Sequence, residues 1–246
     1  MAQTKTAGII IIGDEILSGK VQDTNVLFLT GELWARGVMV SRISVIPDIV
    51  DDIAREVRDF SAKYDFVLTS GGIGPTHDDI TIEGVSAAFG VRPVISDMLK
   101  GRLEQRNKDL TPARLKMAEV PEGAELLDCG ELSFPLIKFR NVFIFPGIPE
   151  ELRERFNTIK ELFIGPKIFL RKVYLKEAES VLAPYLNEIV RLKETVKVGS
   201  YPVVNNQDYS VMVTFESIIE QELDSAVQLL IGKVPGEKIV RVVAAD

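Results

Sequence analysis

The chain has 246 residues, of which 46% are hydrophobic and 26% are charged, as in an ordinary globular protein with a substantial core. Its 29 Lys and Arg residues against 36 Asp and Glu residues give a net charge of -7, which disfavours nucleic acids and anionic membranes as partners. The single cysteine and the single histidine exclude an intrachain disulfide and a Cys/His zinc cluster. Because no apolar run reaches membrane length and the first residues lack a signal-peptide core, we expect a cytoplasmic protein.

The amino-terminal part of the chain alternates between predicted strands and helices. Gly8 to Ile12 is a short, continuously apolar run, typical of a strand that is covered on both faces in a parallel sheet. A helix follows, with Asp23 or Thr24 as its cap. It ends before a second strand, Val38 to Ile46. This order is a β-α-β unit.

A second helix is predicted after Pro47. Its apolar residues recur at the spacing of one buried helical face: Ile49, Ile53, Val57 and Phe60. The next strand, Phe66 to Thr69, leads directly into Ser70. Consecutive β-α-β units predict a three-layer α/β/α sandwich with a mostly parallel sheet, whose ligand crevice lies beyond the carboxyl ends of the strands. Asp14 and Glu15, which follow the first strand, then share one sheet edge with the loop that begins at Ser70.

The next part of the chain predicts a polar helix and an edge hairpin. Ser96 to Lys116 has a helical pattern, and Phe134 to Phe139 with Val142 to Phe145 form the two arms of the hairpin. Phe145 to Leu152, reading FPGIPEEL, ends the last arm, turns and starts a helix. Pro149 lies near the first position of that helix, where proline is favoured.

A different order of elements begins after Gly165 and Pro166. We therefore predict two domains, residues 1–166 and residues 167–246. The second domain reads as βαββαβ, the plan of a small ferredoxin-like α+β fold. Its second helix is predicted to start with a capping box formed by Ser217 and Glu220. No catalytic motif occurs in this domain.

The segment with the strongest chemical signal is the turn at residues 70–81, SGGIGPTHDDIT. Gly71, Gly72 and Gly74 have no side chains to keep a ligand from the backbone, so consecutive amides can converge on an anion. Asp78 and Asp79 follow where a helix should begin. They can cap that helix or supply oxygen ligands to a hard cation such as Mg²⁺. Both readings stay open for each aspartate.

Three segments of the sequence resemble a known family. They are residues 70–81, the segment IIGDEILSGKVQDTN at residues 11–25, and FPGIP at residues 145–149. Together they resemble the molybdopterin-binding-like domain of molybdenum-cofactor biosynthesis proteins, CinA-type proteins and eukaryotic FAD synthases. Ile73 stands where the cofactor-biosynthesis members usually carry threonine, which favours the CinA and FAD synthase branch. GSYP, at residues 199–202, also resembles the segment that follows this domain in FAD synthases.

The resemblance implies a reaction. In the FAD synthase and CinA branch the domain is associated with metal-dependent cleavage of dinucleotide pyrophosphates such as FAD or ADP-ribose. It implies a divalent cation, Mg²⁺ or Co²⁺, with K⁺ as a further candidate and no covalent cofactor. Since the chain ends at Asp246, we expect neither the adenylyl transfer of FAD synthase nor the amidase activity of CinA-type proteins. Relatives form symmetric oligomers, so a homo-oligomer is expected.

The same resemblance implies roles for the residues of the glycine turn. Gly71, Gly72 and Gly74 would receive phosphate, and Ser70 and Thr76 would contribute hydroxyl contacts. Asp78 and Asp79 would bind the metal or activate water, and the sequence leaves open which of them does so.

Other residues are weaker candidates for the same site. Asp14 and Glu15 are a second cation-binding pair, acceptors for a nucleoside or pterin, or simply a turn and a helix start. His77 is a candidate general base, although a lone loop histidine more often makes a local hydrogen bond. Gly147 and Pro149 would shape a rigid turn that brings the Gly147 backbone to the ligand, or would only connect a strand to a helix.

Three hypotheses follow from the sequence. The first is a metal-dependent hydrolase that cleaves the pyrophosphate of FAD, ADP-ribose or a similar dinucleotide. The second is a binding module without catalysis, either a molybdopterin or pterin carrier or a regulatory nucleotide-binding domain. The third assigns the ferredoxin-like domain to protein contacts or oligomer assembly. In the first two hypotheses the partner is a small nucleotide or pterin.

Overall fold

The computed structural model describes residues 4–106, 109–130 and 134–245. The chain separates into two compact units, Met1–Gly165 and Pro166–Asp246. Within the described ranges, no helix combines the length and the apolar character that a membrane crossing requires.

The first unit is built around one sheet. The strands of the whole unit are β1 (Lys5–Ile12), β2 (Val38–Ile46), β3 (Phe66–Ser70), β4 (Pro93–Ile95), β5 (Glu119–Pro121), β6 (Glu125–Leu127), β7 (Leu136–Phe139) and β8 (Val142–Phe145). Its helices are α1 (Asp14–Leu17), α2 (Asn25–Ala35), α3 (Val50–Lys63), α4 (Thr81–Phe89), α5 (Asp97–Arg106), α6 (Pro112–Lys116) and α7 (Pro149–Ile159). The sheet order is β2-β1-β3-β8-β7-β6, with parallel pairing from β2 to β8 and antiparallel pairing beyond.

Strand β1 shows why the sheet is covered on both faces. Ile10 and Ile12 pack into a core with α3 and α4, whereas Ile9 and Ile11 pack into a second core with α2 and α7. All four are at most 2% exposed, and each buried side chain of this size stabilises the fold by about 1.5 to 3 kcal/mol. The run is continuously apolar because both faces of the strand are buried. The predicted α/β/α sandwich is confirmed.

Two predicted helices differ from the structure. Ile49 precedes the first residue of α3 and is 50% exposed, so it lies outside the buried face that Ile53, Val57 and Phe60 form. The single helix predicted over residues 96–116 is instead α5 and α6. Helix α6 begins anew because the Thr111 side chain accepts a hydrogen bond from the Arg114 amide and Pro112 occupies the first turn. The short β4–β5 ribbon was not predicted.

Gly165, the last residue of the first unit, packs against the backbone of that unit. Its amide donates to Arg36 O at 2.9 Å. A Cβ atom at this position would lie 2.0 Å from Gly37 O, a separation that no side chain allows. Glycine is therefore required where the unit ends.

The second unit is a four-stranded antiparallel sheet with two helices. Its elements are β9 (Phe169–Leu175), α8 (Glu179–Leu192), β10 (Lys197–Pro202), β11 (Val211–Ser217), α9 (Glu220–Ile231) and β12 (Ile239–Ala245), and the sheet order is β10-β11-β9-β12. This is the predicted βαββαβ order. The predicted capping box is wrong, because the residue before α9 is Ile219, no side chain caps the helix, and Glu220, its first residue, pairs with Arg171 at 2.8 Å.

Asp65 ties the start of β1 to the turn before β3. Its carboxylate accepts hydrogen bonds from Lys5 Nζ at 2.7 Å, from the Thr6 amide at 2.9 Å and from the Thr6 hydroxyl at 3.0 Å. The hydrogen bond from Lys5 is the largest cause that lowers the pKa of Asp65 below its ordinary 3.8, and the bonds from Thr6 add to it against the opposing effect of burial.

We expect Asp65→Asn to lower the free energy of unfolding by about 1 kcal/mol at pH 7. A carboxyl group whose pKa is lowered by folding stabilises the folded state above its ordinary pKa, and that contribution is lost as the pH falls through the lowered value. The difference between variant and wild type should therefore shrink below about pH 3.8. Urea unfolding at pH 7, 5 and 3 measures it, with Asp51→Asn as an exposed control. A difference that stays constant down to pH 3 would contradict the assignment.

Candidate functional site

Three strand ends meet at one edge of the main sheet, without side chains between them. A Cβ atom at Gly71, whose φ is +107°, would lie 2.2 Å from Ile12 O, and one at Gly147 would lie 3.3 Å from Gly71 Cα. The Gly71 amide also donates to Phe145 O at 3.2 Å. The ends of β1, β3 and β8 are thus in direct backbone contact, and Gly147 lies beside the glycine turn.

Thr81 holds the glycine turn in place. It is fully buried, its hydroxyl donates to Gly71 O at 2.8 Å, and its amide donates to Gly72 O at 2.9 Å. A Cβ atom at Gly72, whose φ is +66°, would lie 2.3 Å from the Thr81 hydroxyl oxygen. Residues 71, 72 and 81 therefore form one unit in which a positive φ and a close approach both require glycine.

The turn leaves backbone donors without acceptors. Within the described part of the chain, no residue accepts a hydrogen bond from the amides of Gly72, Ile73 or Gly74. Successive free amides in a turn are a typical anion-binding arrangement. Because the Gly71 amide is used by Phe145 O, any such cradle consists of the three amides that follow it.

Asp78 and Asp79 do not cap α4. The residue before that helix is Ile80, and no side chain caps it. Instead the Thr76 hydroxyl oxygen lies 2.5 Å from both Asp78 Oδ1 and Asp79 Oδ2, and the Thr76 amide donates to Asp79 Oδ2 at 2.7 Å. The hydrogen bond from Thr76 is the main cause that lowers the pKa of Asp78. Since one hydroxyl has one hydrogen, it satisfies one of the two carboxylates at a time.

A second group of carboxylates, Asp14, Glu15 and Asp48, lies after the ends of β1 and β2. The Asp14 amide donates to Asp48 Oδ2 at 2.8 Å. Burial is the largest cause that raises the pKa of Asp48, and the charges of Asp14, Glu15 and Asp78 raise it further, against the Asp14 amide. Asp14, Glu15 and Asp78 are thus each within electrostatic reach of Asp48. Asp48 was not predicted as a site residue, although it follows the end of β2 just as the predicted residues Asp14 and Glu15 follow the end of β1.

Asn25 joins two of the three strand ends. Its side-chain amide donates to Ser70 Oγ at 3.0 Å and to Gly147 O at 2.8 Å, and Ser70 Oγ donates to Pro146 O at 3.3 Å. The Ser70 hydroxyl is therefore already engaged inside the protein. Asn25 Oδ1 is buried and accepts no hydrogen bond from any residue that the structure describes. Asn25 lies in the QDTN segment but was not predicted as a site residue.

A cavity of about 590 Å³ opens beside the glycine turn. Its polar wall includes Gly71, Gly72, Gly74, Asp79 and Glu15. Its apolar wall is formed by Ile82, Leu99, Met117, Phe134 and Ile137. A volume of this size suits a nucleotide-sized ligand. A smaller space of about 100 Å³ is lined by Glu15, Asn25, Ser70, Gly147 and Pro149.

The two aspartates differ in position, which the sequence could not resolve. Asp79 lines the larger cavity, whereas the Asp78 side chain is 58% exposed. His77 points to solvent with a side chain that is 97% exposed, and its Nδ1 is 3.9 Å from Asp78 Oδ1. Thr76 and Asp14 are exposed and line neither cavity.

Lys116 reaches the glycine turn from the end of α6. Its Nζ donates to Thr76 O at 3.1 Å and lies 3.6 Å from Glu83 Oε1. Glu119 lines the same cavity, and burial, followed by the charge of Glu83, raises its pKa against the effect of Lys116. Sequence reasoning missed these residues because the α6 segment carries no motif and reaches the turn only through the tertiary fold.

Comparison with known protein families identifies the first unit. Residues 8–165 match the family described as "Probable molybdopterin binding domain". The chain belongs to this molybdopterin-binding-domain family. Residues 167–243 match the family described as "FAD synthase, middle domain". Both parts of the resemblance predicted from the sequence are thereby confirmed.

The chain is also similar to individual proteins of known sequence or structure. A protein from Archaeoglobus fulgidus is 36% identical over 220 residues, covering 89% of this chain and 94% of that protein. A "Probable FAD synthase" from Caenorhabditis elegans is 33% identical over 94% of this chain, which spans only 50% of that protein. The crystal structure of CinA from Thermoplasma acidophilum, a protein described as of unknown function, superimposes with a TM-score of 0.60 at 32% identity, covering 65% of this chain and 99% of that one.

The glycine turn of this family member permits a matched test. Gly72 and Gly90 have nearly the same φ, +66° and +68°, but a Cβ atom at Gly90 would meet nothing within 4 Å. We expect Gly90→Ala to lower the free energy of unfolding by about 1 kcal/mol, because alanine is strained at a positive φ even where its Cβ atom meets nothing. Gly72→Ala should lower it further, because the Cβ atom meets Thr81. Thermal unfolding of both variants measures the difference, and equal losses would show that Thr81 does not constrain the turn.

Proposed function

We propose that this chain is a divalent-metal-dependent pyrophosphatase that acts on FAD, ADP-ribose or a similar dinucleotide. The observation that carries the proposal is the cavity of about 590 Å³, in which free turn amides and the carboxylates of Asp79 and Glu15 share a wall. The similarity of the chain to FAD synthases across both units supports a nucleotide as the ligand.

The phosphate cradle in this proposal is the run of amides from Gly72 to Gly74. These donors are fixed by Thr81 and by the contact with Ile12 before any ligand arrives. Fixed donors stabilise the negative charge that develops on a phosphate without reorganising during the reaction. The apolar side chains that line the cavity would hold the nucleoside.

The donor set fits a cation that the ligand helps to hold. Among the described residues, no three His, Cys, Asp or Glu side chains are arranged to bind a metal by themselves. Mg²⁺ is commonly bound by one or two carboxylates together with substrate phosphates and water. Asp78, which converges with Asp79 on the Thr76 hydroxyl, would hold it in that way. The cation would offset charge on the phosphates.

In the proposed reaction a water oxygen bonds to one phosphorus atom, and the bond from that phosphorus to the bridging oxygen breaks. The products are two monophosphates, one of which is AMP for both FAD and ADP-ribose. Asp79 is the carboxylate at the cavity wall, so we assign to it the acceptance of the proton from water. Lys116 holds Thr76 O and thereby keeps the loop that carries both aspartates against the cavity.

Incubating the protein with FAD or ADP-ribose tests the proposal directly. We expect AMP release with Mg²⁺ or Co²⁺ and none with EDTA. Asp79→Asn and Asp78→Asn should each lower kcat by about 100-fold or more, the usual contribution of a catalytic acid or base. Asp51→Asn, an exposed carboxylate of α3, is the control and should retain full activity. Absence of metal-dependent AMP from both substrates would refute the proposal.

A second candidate function is binding without hydrolysis. It is favoured by the engagement of both aspartates with Thr76 and by the exposure of His77, so that none of the three predicted catalytic residues is a free, buried base. In that case the domain binds a nucleotide or pterin and regulates a partner. Calorimetric titration with FAD beside molybdopterin separates the candidates, since tight binding without AMP release supports the second.

A further inference from the structure

The wall of the larger cavity carries a buried arginine that the proposed phosphate cradle does not use. Arg155 lies on α7, is 8% exposed and lines the cavity together with Gly147 and Glu151. A buried guanidinium destabilises a fold unless it is paired. Consistent with this, burial is the largest cause that lowers the pKa of Arg155, and the charge of Glu151 is the first of those that oppose it.

The pairing of Arg155 is incomplete. Its Nη2 is 2.8 Å from Glu151 Oε2, and this is its side-chain hydrogen bond to the described residues. A guanidinium has five N–H donors, so most of them find no acceptor in the described ranges. The Glu151 side chain is 46% exposed, which allows it to turn to water. Arg155 is therefore a buried cation with unused hydrogen-bond donors, and its partner Glu151 can move away from it.

The position of Arg155 relative to the glycine turn follows from helix geometry. Side chains of a helix tilt toward its amino terminus, and the ion pair with Glu151, one turn earlier, fits that direction. The amino terminus of α7 follows Gly147, which approaches Gly71 closely. Arg155 and the free amides of the turn therefore border the same cavity.

The other cation among the described lining residues is Lys116. It already donates to Thr76 O and pairs with Glu83. Lys116 thus supports the loop, whereas the donors of Arg155 remain for a ligand. Arginine suits this role because its planar fork matches two oxygens of one phosphate.

We propose that Arg155 binds a second phosphate, adjacent to the one held by the glycine turn, so that the cavity selects molecules with two linked phosphates over monophosphates. This inference rests on the proposed function for the identity of the ligand as a pyrophosphate. Glu151 then acts as an internal competitor, which occupies the guanidinium until a phosphate replaces it.

Calorimetric titration with α,β-methylene-ADP and with AMP, in the presence of Mg²⁺, tests the inference without turnover. Wild-type protein should bind α,β-methylene-ADP more tightly than AMP. Arg155→Met, which keeps the apolar stem, should weaken binding of α,β-methylene-ADP by about tenfold or more in Kd, equivalent to about 1.4 kcal/mol, and leave AMP binding unchanged. Glu151→Gln should act in the opposite direction and tighten binding of α,β-methylene-ADP. Arg153→Met, an exposed position on the same helix, is the control.

The opposite signs of the two variants separate recognition from a structural role, since a structural ion pair would lose binding in both. Unchanged α,β-methylene-ADP affinity in folded Arg155→Met, or no binding of it by the wild type, would overturn the inference. If Arg155→Met fails to fold, weaker or unchanged binding in Glu151→Gln does so instead. Arg155-dependent binding without AMP release from FAD or ADP-ribose would overturn only the proposed hydrolysis.

Discussion

The site depends on a contact between backbones from which side chains are excluded. Ile12 O, Gly71 and Gly147 belong to the ends of three neighbouring strands, and a Cβ atom at Gly71 would lie 2.2 Å from Ile12 O. This contact fixes where the turn after β3 can go, and Thr81 then fixes its conformation. Gly72, Ile73 and Gly74, whose amides have no acceptor among the described residues, line the cavity. The site is therefore rigid because it is built on the ends of the sheet strands.

The electrostatics of the site oppose its proposed ligand at first sight. Carboxylates surround the cavity, and the net charge of the chain is -7. Backbone amides carry no net charge and can bind a phosphate in such surroundings, while a cation lowers the remaining repulsion between phosphate and carboxylate. The acidic surroundings therefore favour a ligand that arrives with a divalent ion, and they disfavour free anions that arrive without one.

The fold was predictable from the sequence because its signals are local. The apolar run of β1 and the spacing of Ile53, Val57 and Phe60 report burial directly, and the glycine turn follows a strand at the expected edge. The failures have physical reasons: Ile49 fits the helical spacing but precedes the helix, and Ser217 is still part of β11, two residues before the residue that precedes α9. Lys116 and Arg155 reach the cavity through packing, which no local pattern of the sequence encodes.

Gly165 gives the first unit a closed end. Its amide is bonded to Arg36 O, and its missing side chain lets it lie against Gly37, so the last residue of the unit is held by the unit itself. The polypeptide therefore leaves from a fixed point, whatever sequence comes next. The first unit thus holds its own carboxyl end by contacts within itself and does not need the residues after Gly165 to do so.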